Sequence, residues 1–337
     1  MSGLHKLVVF DQNAPLYADL LKSALRTEWD IELGPNSLEW LRTRMGAADA
    51  AIGLRFPPEL LGKTTKLGLF LFPGAGVMNE DPDELPDGCH LCNVYEHEIS
   101  VSEYVYLVLL AFTTNLRNIM GSFQHGEWLG NGRVGGVPHG ELFGKRLGLV
   151  GFGHIGIEVA RRAEAFGMHV QAIRHSCAAY TSYDPRTTIL GGAEALPELL
   201  STSDFVVIAC PLNSATRGWI GREQLSLLQS HAFLVNVSRA EIIVEDALFE
   251  ALDSRTFAGA ALDVWYRYPS TAGERLHGSK LPFHLLPNVL ATPHFSAWTP
   301  GTIARRAKLM ADNLDRLVLG QPLQRVVMTG SRKMSCN

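Results

Sequence analysis

Arg146-Leu-Gly-Leu-Val-Gly-Phe-Gly-His-Ile-Gly156 is the stretch around which the chain is organised. A short apolar run ends in Gly151, and Gly153 and Gly156 complete the spacing G-x-G-x-x-G. Ile157 to Phe166 then reads as a helix. Each glycine has a physical task in such a strand–turn–helix. Gly151 permits the tight turn, Gly153 lets backbone approach a pyrophosphate, and Gly156 lets helix and strand pack closely. The helix start, at His154 and Ile155, offers N–H groups and a positive dipole end to phosphates. The spacing alone is weak, because the chain contains 32 glycines. With a strand before it and a helix after it, it predicts a dinucleotide-binding turn.

Working outward, 337 residues are enough for about two domains. The composition, 46% hydrophobic and 19% charged, is that of a soluble globular protein. A net charge of −4 gives no basic excess that would point to nucleic acid or an anionic membrane surface. The five cysteines are odd in number and scattered, and Cys89-x-x-Cys92 lacks a second pair, so it reads as two ordinary thiols and not as a metal or redox site. The N-terminus has no signal-peptide apolar core, and the longest apolar run, Val105 to Phe112, is too short to span a bilayer. A cytoplasmic location is therefore expected.

Taken in order, Lys6–Phe10, Ala50–Leu54, Lys66–Phe72 and His90–Val94 read as strands. Helices are expected over Ala14–Arg26 and after Pro57-Pro58. Glu98 to Met120 reads as one long helix leading out of this first domain, followed by a Gly-rich connecting arm, Gly121 to Gly144. After the glycine turn, strands are expected at Met168–Ile173, Phe205–Ala209, Ala232–Val237, Phe257–Val264 and Val289–Ala291, with helices between them. The last helix, Thr302–Leu319, must return to the first domain, and the tail after Val327 reads as loose. The alternation implies an α/β protein with two doubly wound parallel sheets. A Rossmann dinucleotide-binding domain, 99–298, is expected inside a flavodoxin-like substrate domain made of 1–98 and 299–337.

Ligands of open α/β sheets gather at the carboxyl ends of the strands. Gly74-Ala-Gly76, Pro211-Leu212, Arg239 and His294 all follow predicted strands and fall on that rim. With these residues in view, the chain resembles the D-isomer-specific 2-hydroxyacid dehydrogenases over nearly its whole length. The resemblance rests on Gly151-Phe-Gly-His-Ile-Gly156, Asn236-Val-Ser-Arg-Ala240, Gly259-Ala-Ala-Leu-Asp-Val264 and Thr292-Pro-His294. Pro73-Gly-Ala-Gly-Val77 and Ser102-Glu103 add to it.

The resemblance implies an NAD(P)-dependent oxidoreductase moving a hydride between nicotinamide and a small 2-hydroxy or 2-keto acid. Arg239 would bind the substrate carboxylate, for which a planar, permanently charged guanidinium is suited. His294 would be the acid and base, since imidazole titrates near neutrality. Backbone N–H groups of Ala75 and Gly76 would hold the carboxylate, with Trp298 nearby. Asp263 would lie near the nicotinamide carboxamide. Cys210, Pro211, Thr216, Val237 and Ser238 complete the expected cofactor-binding set. A homodimer is implied, through the inserted domain and the 121–144 arm.

Two positions depart from the family pattern. Glu-Pro is expected after Leu-Asp-Val, an aromatic and two further residues, and that Glu pairs with the catalytic His. The run here is Trp265-Tyr-Arg-Tyr-Pro269, with Tyr268 in place of the carboxylate. A shifted loop would instead let Glu274 fill the role. If Tyr268 is the partner, His294 loses an anion that would raise its pKa, and reduction at neutral or higher pH is weakened. The second departure is Arg174, which stands within Ile173-Arg-His-Ser176 where an NAD enzyme carries Asp or Glu for the ribose 2′-OH. Arg174, helped by His175 and Ser176, is suited to a 2′-phosphate, so NADP is favoured over NAD.

Two other readings stay open. One is a relative acting on formate, phosphite or a phosphonate, anions the same cradle accepts. The other is a non-catalytic NAD(H)-sensing protein, against which the presence of both Arg239 and His294 argues. The side chains Phe70, Phe72, Tyr95, His97 and Trp298 line either a substrate pocket or packing interfaces, and the substrate's identity is not readable.

Overall fold

The computed structural model describes residues 4–77, 81–130, 132–174, 187–271 and 273–331. Contacts divide the chain into two units, Met1–Glu96 with Trp298–Asn337, and His97–Ala297. The first unit opens with β1 (His5–Val9), α1 (Ala14–Ala24), β2 (Trp29–Leu33), α2 (Leu38–Arg42), β3 (Ala50–Ile52), β4 (Leu69–Phe72) and β5 (His90–Asn93). The second holds α3 (Glu98–Thr113), α4 (Leu116–Gln124), β6 (Arg146–Val150), α5 (His154–Ala165), β7 (His169–Ile173) and β8 (Thr187–Gly191). It continues through α6 (Leu196–Thr202), β9 (Phe205–Ile208), α7 (Arg222–Ser226), β10 (Phe233–Asn236), α8 (Glu245–Asp253), β11 (Gly259–Leu262) and β12 (Val289–Ala291). The chain then returns to the first unit with α9 (Pro300–Val318) and β13 (Val326–Thr329).

The second unit is built on a parallel sheet in the order β12-β11-β10-β9-β6-β7-β8. The order reverses between β6 and β9, which is where a doubly wound sheet opens a crevice for a ligand. Its inner strands are buried on both faces and therefore read as unbroken apolar runs, FVVI in β9 and FLVN in β10. One face packs on α3 and α5 through Val105, Leu109, Val159 and Ala163; the other packs on α6, α7 and α8. The first unit's sheet runs β13-β5-β4-β3-β1-β2, parallel except for β13 on β5. Ala307, Met310, Ala311 and Leu314 of α9 pack with Leu7, Val9 and Leu71, so the final helix does return to the first core. Phe70 lies in that unit's other core cluster, edge-on to Phe56.

The structure corrects the sequence reading in three places. The expected single helix from Glu98 to Met120 breaks at Asn115, which takes a left-handed conformation with φ of 52° between α3 and α4. Asn tolerates that region better than other side-chain-bearing residues, so the break has a local cause. The start of the tail expected to be loose after Val327 is ordered, because Val326–Thr329 pairs antiparallel with β5, while 332–337 lie outside the described residues. β2 and β8 were absent from the sequence reading. Both are edge strands with half-exposed, mixed sequences, WDIEL and TTILG, and so lack the apolar run that marks a buried strand. Among the described residues no single helix is long and apolar enough to cross a membrane.

One buried carboxylate fastens the first unit. The side chain of Asp315 on α9 is 1% exposed. It accepts from the backbone N–H of Arg26 and Thr27, from Thr27 Oγ1 at 2.7 Å and from Arg26 Nε at 2.9 Å. Burial acts to raise its pKa, but the bonds from Thr27 and Arg26 outweigh it and hold the carboxyl below its ordinary value.

Candidate functional site

The glycine turn is built as its spacing predicts. Gly151 has φ of 106°, and a Cβ there would stand 2.6 Å from the backbone nitrogen of Cys210. A Cβ on Gly156 would stand 2.5 Å from Gly151 O. These two glycines are therefore required by the protein itself, since any side chain would push backbone from backbone. Gly153 is different, because a Cβ there meets nothing within 4 Å. The space over Gly153, at the N-cap of α5, is the cradle that a pyrophosphate would fill, so the turn fits a dinucleotide.

The neighbouring loops sit at the carboxyl ends of β9 and β10. Cys210 is buried and burial pushes its thiol pKa up to about 11, which makes it a packing residue and not a nucleophile. Thr216 folds the loop back, its hydroxyl donating to Pro211 O at 2.7 Å and accepting from Asn213 N at 2.9 Å. Ser238 Oγ donates to Cys210 O and so ties the β9 and β10 loops together. Val237 is buried beside it. Arg174 directly follows β7, and its backbone N–H donates to Gly191 O at 2.9 Å. His175 and Ser176 lie outside the described residues.

Arg239 and His294 are brought together by three loops at this rim. Asn236, 1% exposed, accepts from Ser238 N at 3.1 Å and donates to Arg239 O at 3.0 Å, which shapes the turn that presents Arg239. The guanidinium of Arg239 donates to Ser238 O at 2.8 Å. His294 takes a left-handed backbone conformation, φ 56°. For a residue with a Cβ this costs about 1–2 kcal/mol. Asp263, with no exposed surface, holds the loop in that shape. Its Oδ1 accepts from Thr292 Oγ1 at 2.7 Å and from Phe295 N at 3.0 Å, and its Oδ2 accepts from Ser296 N at 3.1 Å. Tyr104 Oη lies 2.7 Å from Thr292 Oγ1, and the Trp265 indole N–H donates to Thr292 O at 2.8 Å.

Tyr268 stands at His294, its hydroxyl 2.8 Å from Nδ1. The backbone N–H of Trp265 donates to the same hydroxyl at 3.2 Å. Glu274 is occupied elsewhere and accepts from Ser270 N and Oγ at 2.7 and 2.9 Å. The carboxylate replacement by a shifted loop is thus excluded. Burial lowers the His294 pKa; the Asp263 charge opposes this and the Arg239 charge reinforces it. Burial raises the Tyr268 pKa, against the pull of the Trp265 N–H and the Arg239 charge, so the phenol stays protonated.

Ala75, Gly76 and Trp298 belong to the first unit. The Ala75 carbonyl accepts from Asn93 Nδ2 at 2.6 Å and Gly74 O accepts from Val94 N at 2.9 Å, which fixes the loop after β4. Trp298 is half exposed and precedes Thr299, whose hydroxyl caps α9. Asn236, Trp265, Thr292 and Tyr104 were missed as site residues in the sequence. Asn236 and Thr292 stood inside quoted motifs, and an Asn or Thr at a strand end is a signal for such loop bonds.

Comparison with known proteins places this geometry in context. The model for the D-isomer specific 2-hydroxyacid dehydrogenase NAD-binding domain matches residues 106–296. The chain is 31% identical over 332 residues to D-3-phosphoglycerate dehydrogenase of Methanocaldococcus jannaschii, covering 96% of this chain and 59% of that one. It therefore spans less than two thirds of that relative's length. It is 30% identical over 304 residues to the glyoxylate reductase of Thermococcus gammatolerans, with 86% and 87% covered. A 2-hydroxyacid dehydrogenase structure from Xanthobacter autotrophicus Py2, in complex with NADPH and MES, shares the fold at a TM-score of 0.77 and 23% identity, covering 97% and 98% of the two chains.

Proposed function

Because the chain belongs to the D-isomer-specific 2-hydroxyacid dehydrogenase family, we propose that it is an NAD(P)-dependent oxidoreductase acting on a small 2-hydroxy or 2-keto acid. The observation that carries this reading is the meeting, in one unit, of an imidazole, a guanidinium and a glycine turn with open space over Gly153. Arg239 pairs with the substrate carboxylate and draws electron density from the adjacent carbonyl. His294 gives a proton to the substrate oxygen, or takes one from it, at Nε2. Asp263 keeps His294 in its left-handed position and contributes the negative charge that the imidazole feels. When bound, the nicotinamide would supply or accept the hydride. Gly151, Gly153, His154, Ile155 and Gly156 would hold its phosphates.

Arg174 at the end of β7, in place of a carboxylate, supports NADP over NAD. The Xanthobacter protein of the same fold was obtained with NADPH. A homodimer is proposed on the exposed apolar side chains of α4 and the segment after it, Met120, Phe123, Trp128 and Val137. Sedimentation as a concentration-independent monomer would exclude it.

The activity test is turnover of glyoxylate and a panel of other 2-keto acids by the purified protein, with NADPH and with NADH. Turnover is expected, with the higher kcat/KM for NADPH, and Arg239→Ala is expected to lower it about a hundredfold or more. Tyr268 as a neutral partner of His294 favours one second reading, oxidation of a different small anion such as formate or phosphite. Those two anions belong in the same panel. Cofactor binding without turnover of any of them would point to a sensor.

A further inference from the structure

We infer that Tyr268 sets the tautomer of His294, holding the resting imidazole as an Nε2–H donor and so selecting ligands that present an acceptor oxygen to that edge of the ring. The inference deepens the activity proposed above and rests on it for the identity of the ligand. It follows from counting protons around one oxygen. A tyrosine hydroxyl has one hydrogen to donate and two lone pairs to accept. The Trp265 N–H can only donate, and it is directed at Tyr268 Oη. The oxygen's own hydrogen is then free for the remaining neighbour, His294 Nδ1 at 2.8 Å. Among the described residues Tyr268 has no other polar partner.

Nδ1 that accepts carries no proton, and a neutral imidazole then bears its proton on Nε2. A carboxylate at this position acts in the opposite sense. It has no hydrogen to give, so it demands a proton on Nδ1 and leaves Nε2 bare in the neutral ring. Replacement of Glu by Tyr therefore does more than remove a charge, because it reverses which edge of the imidazole donates. A bare Nε2 suits a substrate hydroxyl, which must donate. An Nε2–H suits a carbonyl oxygen, which can only accept. For Nδ1 to hold a proton here, Tyr268 Oη must accept from both Trp265 and His294, and its own hydrogen must turn to solvent. The half-exposed ring of Tyr268 permits this turn, so the hydroxyl is a two-position switch.

The test combines a spectroscopic readout with ligand binding. Nitrogen NMR of 15N-histidine-labelled protein at about pH 8, where an imidazole is neutral, reports which ring nitrogen of His294 carries the proton. Wild type is expected to show Nε2–H as the dominant form, Tyr268→Phe a larger share of Nδ1–H, and Tyr268→Glu predominantly Nδ1–H. On the NADPH complex, where neither probe reacts, oxamate supplies an acceptor carbonyl and glycolate a hydroxyl. Oxamate is expected to bind wild type about tenfold more tightly than glycolate, as for one hydrogen bond kept against one lost. Tyr268→Glu should abolish or invert that preference. Wild type with its proton on Nδ1, or a Tyr268→Phe spectrum identical to wild type, overturns the inference. The NMR result decides it even if no 2-keto acid is turned over, an outcome that would defeat the activity reading instead.

Discussion

Two buried aspartates, one in each unit, show how the same side chain serves different ends. Asp315 fastens α9 to the Arg26–Thr27 turn and meets a guanidinium there, Arg26 Nε at 2.9 Å. Asp263 fastens the Thr292–Ser296 loop, but among the described residues its hydrogen-bond donors are all neutral, a hydroxyl and two backbone N–H groups. The paired carboxylate has its charge answered on the spot and stabilises the unit that holds it. The unpaired one keeps its field available, and His294 lies within it. A buried carboxylate whose bonds come from neutral donors fixes geometry and leaves a charge to act on a neighbour.

Substitutions at the two positions should separate these roles. Asp315→Ala leaves the N–H groups of Arg26 and Thr27 without their acceptor, so unfolding stability should fall by roughly 3 kcal/mol, with kcat/KM in the cold unchanged. Denaturant titration beside an activity assay checks both; a comparable loss of kcat/KM would mean that the first unit's staple also serves the chemistry. Asp263→Asn keeps the shape but trades one acceptor for a donor, which then faces the N–H of either Phe295 or Ser296. It should lower kcat/KM about a hundredfold, as misplaced catalytic groups do. If steady-state rates are preserved, the loop does not depend on Asp263 and the comparison fails.

Two smaller effects sharpen it. Gly153→Ala fills space the fold leaves open, so it should weaken NADPH binding about tenfold while the melting temperature stays put. Gly156→Ala, where a Cβ would meet Gly151 O, should instead lower the melting temperature. Matching losses in both variants would show that the open space is not the cofactor's. The acid limb supplies the last test. The Asp315 pKa is depressed, so its contribution is fully present above the ordinary carboxylate value of 3.8 and is lost as pH falls through the lower folded value. Asp315→Asn should therefore flatten the stability–pH slope below about pH 4. An unchanged slope would assign acid lability to other groups.

The two kinds of feature also differ in how far the sequence discloses them. The glycine turn was legible because its demands are local: Gly151 and Gly156 answer to backbone within the same turn or the adjacent strand end. Arg239 and His294 were legible because each stands directly after a strand, and a parallel sheet gathers strand ends. The holding network was not. Asp263 finds its donors 29 to 33 residues away, and Tyr104 meets Thr292 across 188 residues. Asp263 was expected beside the cofactor, and among the described residues its hydrogen bonds go to the histidine loop, a role its motif did not disclose. The edge strands β2 and β8 escaped notice because half-exposed strands need no apolar pattern. Tyr268 was marked as a substitution from its place before Pro269, but the direction of its hydroxyl depends on the Trp265 N–H, which only the folded loop supplies.

The return of α9 to the first core has a consequence for how the protein is made. Leu7, Val9 and Leu71 emerge from the ribosome early, while Ala307, Met310 and Leu314 that cover them follow more than two hundred residues later. At about 5–20 residues per second the nascent first sheet waits on the order of ten seconds or more with that face uncovered. The continuous second unit, 97–297, is complete before α9 is even synthesised. Its folding can therefore run ahead in vivo, and the exposed face of β1 and β4 is the surface on which a nascent-chain chaperone would have to act.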